Sequence, residues 1–238
     1  MPTPYETNLQ PMRNSLAVIL CIVCAVCVVG GCSQDAYDKG EGEYSMLRGD
    51  FAEAFVGSDK KVVSVTTDDG DRLPLAIPFS ASWITKADTA YRCMLYYNKV
   101  KSTDGAHQAE VVSMSSVPCP VLKSRSEMNP VKTDPVKFES LWLSKTRKYV
   151  NLRLLLKTGM TDDSTAVQRL ALVSDTVLAY PDGTRTRCLR LHHDQNRVPE
   201  YYSTQVYISI PTDSIATDTV SFSINTYDGT VVKTLTLR

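Results

Sequence analysis

Val150-Asn151-Leu152-Arg153-Leu154-Leu155-Leu156-Lys157 is the stretch on which the fold class turns. Val150, Leu152, Leu154 and Leu156 fall on one side of an extended chain, and Asn151, Arg153 and Lys157 on the other, because successive strand side chains point to opposite faces. The pattern recurs at Tyr202, Thr204, Val206, Ile208 and Ile210, and again at Val220, Phe222 and Ile224 set against Ser221, Ser223 and Asn225. Asp228-Gly229 then turns the chain into residues 231–237, a hairpin by its turn chemistry. One apolar and one polar face per strand is how two antiparallel sheets pack their inner faces together. Residues 136–238 are therefore expected to form an antiparallel β-sandwich of about six or seven strands. Within it, residues 166–173 fit strand or helix equally.

The preceding part of the chain also reads as β. Lys61-Val62-Val63-Ser64-Val65-Thr66 is a strand, stopped by Asp68-Asp69-Gly70-Asp71, and residues 72–77 follow as a short partner as far as Pro78. Residues 91–100 form a further strand with Tyr91, Cys93, Leu95 and Tyr97 on one face, and Ser102-Thr103-Asp104-Gly105 turns it back into residues 109–115. Residues 46–56, with Phe51 and Phe55, are a long mixed segment. Five strands, with a long connection over residues 80–89 that has room for a helical turn, match the count of an OB barrel, expected here over residues 44–118. Pro118, Pro120, Pro130 and Pro135, interspersed with Lys and Ser, mark residues 119–135 as a linker.

Residues 1–31 read as an export signal. Arg13 precedes an unbroken apolar run over residues 16–29, too short for a comfortable membrane span of roughly 20 residues. The run ends in Val29-Gly30-Gly31-Cys32, an apolar residue and two small residues before Cys, which is the pattern of a lipidation site. Cys32 is expected to become the acylated N-terminus, since each buried methylene contributes about 0.8 kcal/mol to membrane anchoring. Translation starting at Met12 would give an ordinary signal, because residues 1–11 are polar and lack a positive charge. Residues 32–43, with Asp35, Asp38, Glu41 and Glu43, make a lipidated tether too polar to bury. The location implied is the cell envelope, at the outer membrane, with the periplasmic and surface faces both open.

Twenty-six Lys and Arg balance twenty-six Asp and Glu, so the formal charge is zero. A nucleic-acid partner would call for a basic footprint, and none is present. Of the seven cysteines, Cys21, Cys24 and Cys27 leave with the signal. Cys93, Cys119 and Cys188 remain, an odd set that allows one disulfide, with Cys93–Cys119 the first pairing to test, or three small buried hydrophobes.

Candidate chemistry is sparse. His192-His193-Asp194 is the one dense group of metal-ligating types, but neighbouring histidines in a strand face opposite ways and helical His spacing is missing. No GxSxG nucleophile elbow occurs. Carboxylates gather in turns (Asp68, Asp69, Asp71; Asp162, Asp163), where Asp favours the turn itself. Tyr96 and Tyr201 are the aromatic residues placed to stack on a ligand, a sugar above all. No cofactor is expected.

Taken together, Cys32 with its acidic tether, Tyr91-Arg92-Cys93-Met94-Leu95-Tyr96-Tyr97, and His192-His193-Asp194-Gln195-Asn196 through Glu200-Tyr201-Tyr202 to Ile208-Ser209-Ile210-Pro211 resemble the NigD-like lipoproteins of gut anaerobes. The resemblance spans the mature chain and implies an N-terminal OB domain followed by a β-sandwich. It brings no catalytic residues, and it implies that the histidine pair belongs to a structural connection. The function expected is a lipid-anchored, non-enzymatic module binding an envelope protein or a glycan. The alternatives are a hydrolytic, carbohydrate-active enzyme using dispersed carboxylates, and a structural accessory of an outer-membrane assembly.

Overall fold

The structure, a computed structural model, describes residues 46–238. The export signal, Cys32 and the tether lie outside the described residues. Five strands, β1 (Leu47–Val56), β2 (Val62–Thr67), β3 (Arg72–Phe79), β4 (Thr89–Lys101) and β5 (His107–Ser116), close into a barrel in the order β1-β2-β3-β5-β4. Its interior is filled by Ala52, Ala54, Val65, Leu73, Leu75, Cys93, Leu95 and Tyr97. The mixed segment 46–56 is thus a full strand. Its apolar period is blurred because both faces are covered: Ala52 and Ala54 point into the barrel, and Phe51 points out under a second layer. Residues 80–88 contain turns and no helix, and their Trp83 and Ile84 pack onto the barrel core.

The second module contains β6 (Lys123–Ser124), β7 (Lys137–Leu143), β8 (Tyr149–Thr158), β9 (Arg169–Ala179), β10 (Arg185–Asp194), β11 (Tyr202–Pro211), a single helical turn α1 (Thr212–Ile215), β12 (Thr219–Thr226) and β13 (Gly229–Thr236). They form a five-stranded sheet, β13-β12-β10-β9-β6, facing a three-stranded sheet, β11-β8-β7. Leu152, Leu154, Ile208 and Ile210 of one sheet meet Leu189, Leu191, Phe222 and Ile224 of the other in one core. The ambiguous segment 166–173 leads into strand β9. Two pairings, β10 with β12 and β6 with β9, are parallel. The first arises because the chain leaves β10 for the opposite sheet as β11 and re-enters beside its starting strand. At the β12–β13 turn, Gly229 has φ +110°, a conformation glycine adopts without steric penalty.

Residues 119–135 do not swing free. Lys123 and Ser124 pair with Val173 and Ser174 of β9, and Thr133 bridges His193. Just upstream, the Val117 amide donates to the Arg92 carbonyl on the barrel at 2.9 Å, and the Ser209 amide donates to the Pro118 carbonyl at 3.0 Å. One module therefore ends, and the other begins, at consecutive residues.

Candidate functional site at the seam between barrel and sandwich

Arg92 lies on the outer face of β4, opposite the inward Cys93 and Leu95, and the sandwich covers it there. Its side chain is 2% exposed. Nη2 donates to Asp68 Oδ2 at 2.7 Å and to Asn151 Oδ1 at 3.1 Å, while Nε donates to Ser209 Oγ at 3.1 Å. Asn151 in turn donates to Asp68 at 2.8 Å and accepts from Ser209 Oγ at 2.6 Å. Asn151 and Ser209 occupy polar positions of β8 and β11, and here the polar face of a sandwich strand is buried against a second module. Nη1 of Arg92 is buried without an acceptor. The guanidinium carbon sits 4.0 Å from the Tyr149 ring centroid and 5.3 Å from that of Phe51, a cation–π arrangement. Phe51 also meets Trp142 and Tyr207 edge-on at 5.6 and 5.1 Å. Each such aromatic pair contributes about 0.5–1.5 kcal/mol beyond area burial.

Glu53 of β1 stands between two hollows that open on this seam. Lys148 Nζ and Tyr149 Oη both donate to it, at 2.8 and 2.9 Å. Burial alone would raise its pKa, but these two donors outweigh it and hold the carboxyl below its ordinary 4.5. On one side is a groove of about 570 Å³ on the outer face of β1, β2 and β3, lined by Glu53, Phe55, Ser64, Thr66, Arg72, Pro74 and the sandwich residue Lys148. On the other is a cleft of about 370 Å³ lined by Glu53, Tyr91, Arg92, Val117, Pro118, Cys119, Tyr149 and Pro211. The strand 2–3 face of an OB barrel is its usual ligand surface. Here that surface is extended by Lys148.

The histidine pair has another role. His192 Nδ1 accepts the Lys132 amide at 3.0 Å, which places the ring proton of its neutral form on Nε2. His193 Nδ1 lies 2.9 Å from the Asp134 carbonyl, an acceptor only, so this nitrogen is the donor. Asp194 receives Lys132 Nζ at 2.9 Å and the Asn196 amide at 3.0 Å. The motif thus fastens residues 132–134 to β10. Among the described residues, no group of three or more His, Cys, Asp or Glu is arranged to hold a metal ion.

Tyr96 and Tyr201 do not share a site. Tyr96, 41% exposed, lines a hollow of about 350 Å³ with Met94, Val117, Gln205 and Tyr207. Tyr201 lies six residues before Tyr207, roughly 20 Å along an extended chain. Four of the five clustered carboxylates are engaged: Asp68 with Arg92, Asp69 with Lys145, Asp71 with Lys99 and Asp163 with Arg197. Cys93, Cys119 and Cys188 are all free thiols. Cys119 lines the cleft, yet burial raises its pKa, the opposite of what activates a nucleophile. Sequence reasoning missed Arg92 and Glu53. The available signal was a lone arginine between apolar neighbours in a barrel strand.

A closed OB-type barrel joined without slack to a β-sandwich defines a two-module, all-β protein. The NigD-like C-terminal beta sandwich domain matches residues 118–238, and the chain belongs to the NigD-like family. Comparison with curated proteins finds no match. Among solved structures, the chain is similar to a NigD-like immunity protein from Bacteroides caccae ATCC 43185, with 25% identity, a TM-score of 0.62, and coverage of 78% of this chain and 91% of that one. It shares its fold with a protein of unknown function from Bacteroides vulgatus ATCC 8482, at 15% identity and TM-score 0.60, covering 80% and 90% of the two chains. The same holds for a protein provisionally described as a lipoprotein from Bacteroides fragilis NCTC 9343, at 11% identity and TM-score 0.56, covering 79% and 96%. No helix among the described residues is long and apolar enough to cross a membrane.

Proposed function

We propose that this chain is a lipid-anchored cell-envelope protein that binds a partner protein through the seam groove and does no chemistry on it. The observation that carries this is the preformed groove itself. Phe55 and Pro74 offer apolar contact, Arg72 and the Glu53–Lys148 pair offer charged contact, and the Arg92 network holds both walls in place. Kinship with a solved NigD-like immunity protein supports a protein as the occupant. The anchor at Cys32 and the outer-membrane location rest on the residues of the export signal.

The test is photo-crosslinking in the native envelope, with a reactive residue placed at Thr66, followed by mass spectrometry. A single crosslinked protein, lost when Phe55→Asp is added, is the expected result. Unchanged crosslinking in the Phe55→Asp variant would remove the groove from the proposal. Turnover of a chromogenic glycoside, abolished by Glu53→Gln, would favour a hydrolase instead.

A further inference from the structure

The end of the sandwich remote from the barrel presents a second surface. β8 runs from Tyr149, against the barrel, to Thr158, roughly 30 Å of strand away. There the Tyr201 amide donates to the Thr158 carbonyl at 3.0 Å, yet the Tyr201 side chain is left 79% exposed. The ring does not hang loose. It lies over the bare backbone of Gly159, where an added Cβ would fall 2.7 Å from Tyr201 Cδ2 and 3.1 Å from the Pro199 carbonyl oxygen. Absence of a side chain at Gly159 is what lets this ring settle.

Beside it, Glu200 joins Tyr201 to a second exposed tyrosine. Its Oε2 is 3.4 Å from the Tyr227 hydroxyl and 3.6 Å from Lys157 Nζ, and that ammonium sits 4.6 Å from the Tyr227 ring centroid. Both distances to Oε2 are long for hydrogen bonds, and Glu200 is part of an exposed surface, so its carboxylate keeps acceptor capacity. The Lys157 ammonium offsets Glu200, while the charge of a second carboxylate, Asp134, also reaches Tyr227, so the patch carries no excess of positive charge.

We propose that this end is a binding site for a neutral oligosaccharide. Pyranose rings present a C–H face that stacks on an aromatic ring, and a hydroxyl rim that donates to carboxylate oxygens. Tyr201 supplies a ring packed on Gly159, and Glu200, next to it in the chain and 3.4 Å from the Tyr227 hydroxyl, supplies the acceptor. Two carboxylates against one ammonium disfavour an acidic polysaccharide. The site lies apart from the seam groove and does not depend on the function assigned there.

The experiment is calorimetric titration of the detergent-solubilised full chain with neutral hexasaccharides of glucose, mannose and xylose, and with an oligogalacturonate as the charged control. The expected result is saturable binding of a neutral hexasaccharide, weakened at least about tenfold by Tyr201→Ala, weakened by Glu200→Gln, and untouched by Phe55→Asp in the groove. Melting curves establish that each variant is folded. Absence of binding to all three neutral sugars, preference for the galacturonate, or full retention in a folded Tyr201→Ala variant would overturn the assignment. A protein captured by the wild type and lost on Tyr201→Ala, with no sugar bound, would overturn it in favour of a protein surface.

Discussion

The Nε–H of Arg92 donates to Oγ of Ser209 at 3.1 Å, tying a barrel strand to a sandwich strand 117 residues further along the chain. The same guanidinium reaches Asp68 and Asn151, so one side chain closes a network drawn from both modules. Removing one partner of a buried charge pair is more damaging than never having made the pair, because the other charge stays desolvated.

Arg92→Met is therefore expected to lower unfolding free energy by about 3 kcal/mol, as read by urea titration. Asp68 retains 16% side-chain exposure, which places the effect at the lower end of the range for buried pairs. A loss under about 1 kcal/mol, as for an ordinary surface pair, would show that the network does not hold the modules together.

Stability should fall on mild acidification through His192. Burial depresses its pKa below 6.5, the ring accepting the Lys132 amide. The unfolded chain takes up a proton near pH 6.5 while the folded chain does not, so the unfolded state binds more protons in that window. The contribution is complete above pH 6.5 and is lost as pH falls through the folded pKa. Urea midpoints measured from pH 7.5 downwards should decline below 6.5, and His192→Asn should flatten that decline. An identical slope in the variant would shift the cause to other groups.

Thiol labelling should distinguish Cys93 from Cys119. Burial pushes Cys93 up to about 12 and leaves it inside the barrel, where its Sγ lies 3.5 Å from the Ala52 carbonyl. Cys119 is exposed, but its pKa is also raised by burial. Native protein at pH 7.5 is expected to modify Cys119 more slowly than a free cysteine, and Cys93 only after denaturant is added. Rapid native modification of Cys93 would mean that the barrel opens.

Replacing Cys32 with Ser should abolish incorporation of radiolabelled palmitate and leave unprocessed precursor. Continued labelling would place any anchor elsewhere.

Strand positions with one buried face were legible from alternation: the lipophilic sides of β8, β11 and β12 emerge as the sandwich core. What escaped was everything set by module against module. β1 looked irregular because Phe51 is buried on the face that a lone barrel would leave wet. Asn151 and Ser209 looked like solvent-facing residues, since a polar side chain that meets water and one that meets a buried arginine have the same sequence signature. Residues 119–135 had linker composition, rich in Pro, Lys and Ser, and their attachment depends on ring nitrogens of His192 and His193 sixty residues away. Tyr96 and Tyr201 are both exposed, and so is Tyr202, and strand periodicity carries no information about whether two exposed rings are near each other.

The absence of slack between Val117 and Pro118 turns the molecule into a ruler. A flexible joint would let the groove and the tyrosine end sample many separations, and a ligand touching both would have to freeze that motion as it bound. Here the separation is settled during folding. A partner that spanned both surfaces would be selected by its length as well as its chemistry, and a variant that loosens the Arg92 network would relax that selection before it unfolded either module.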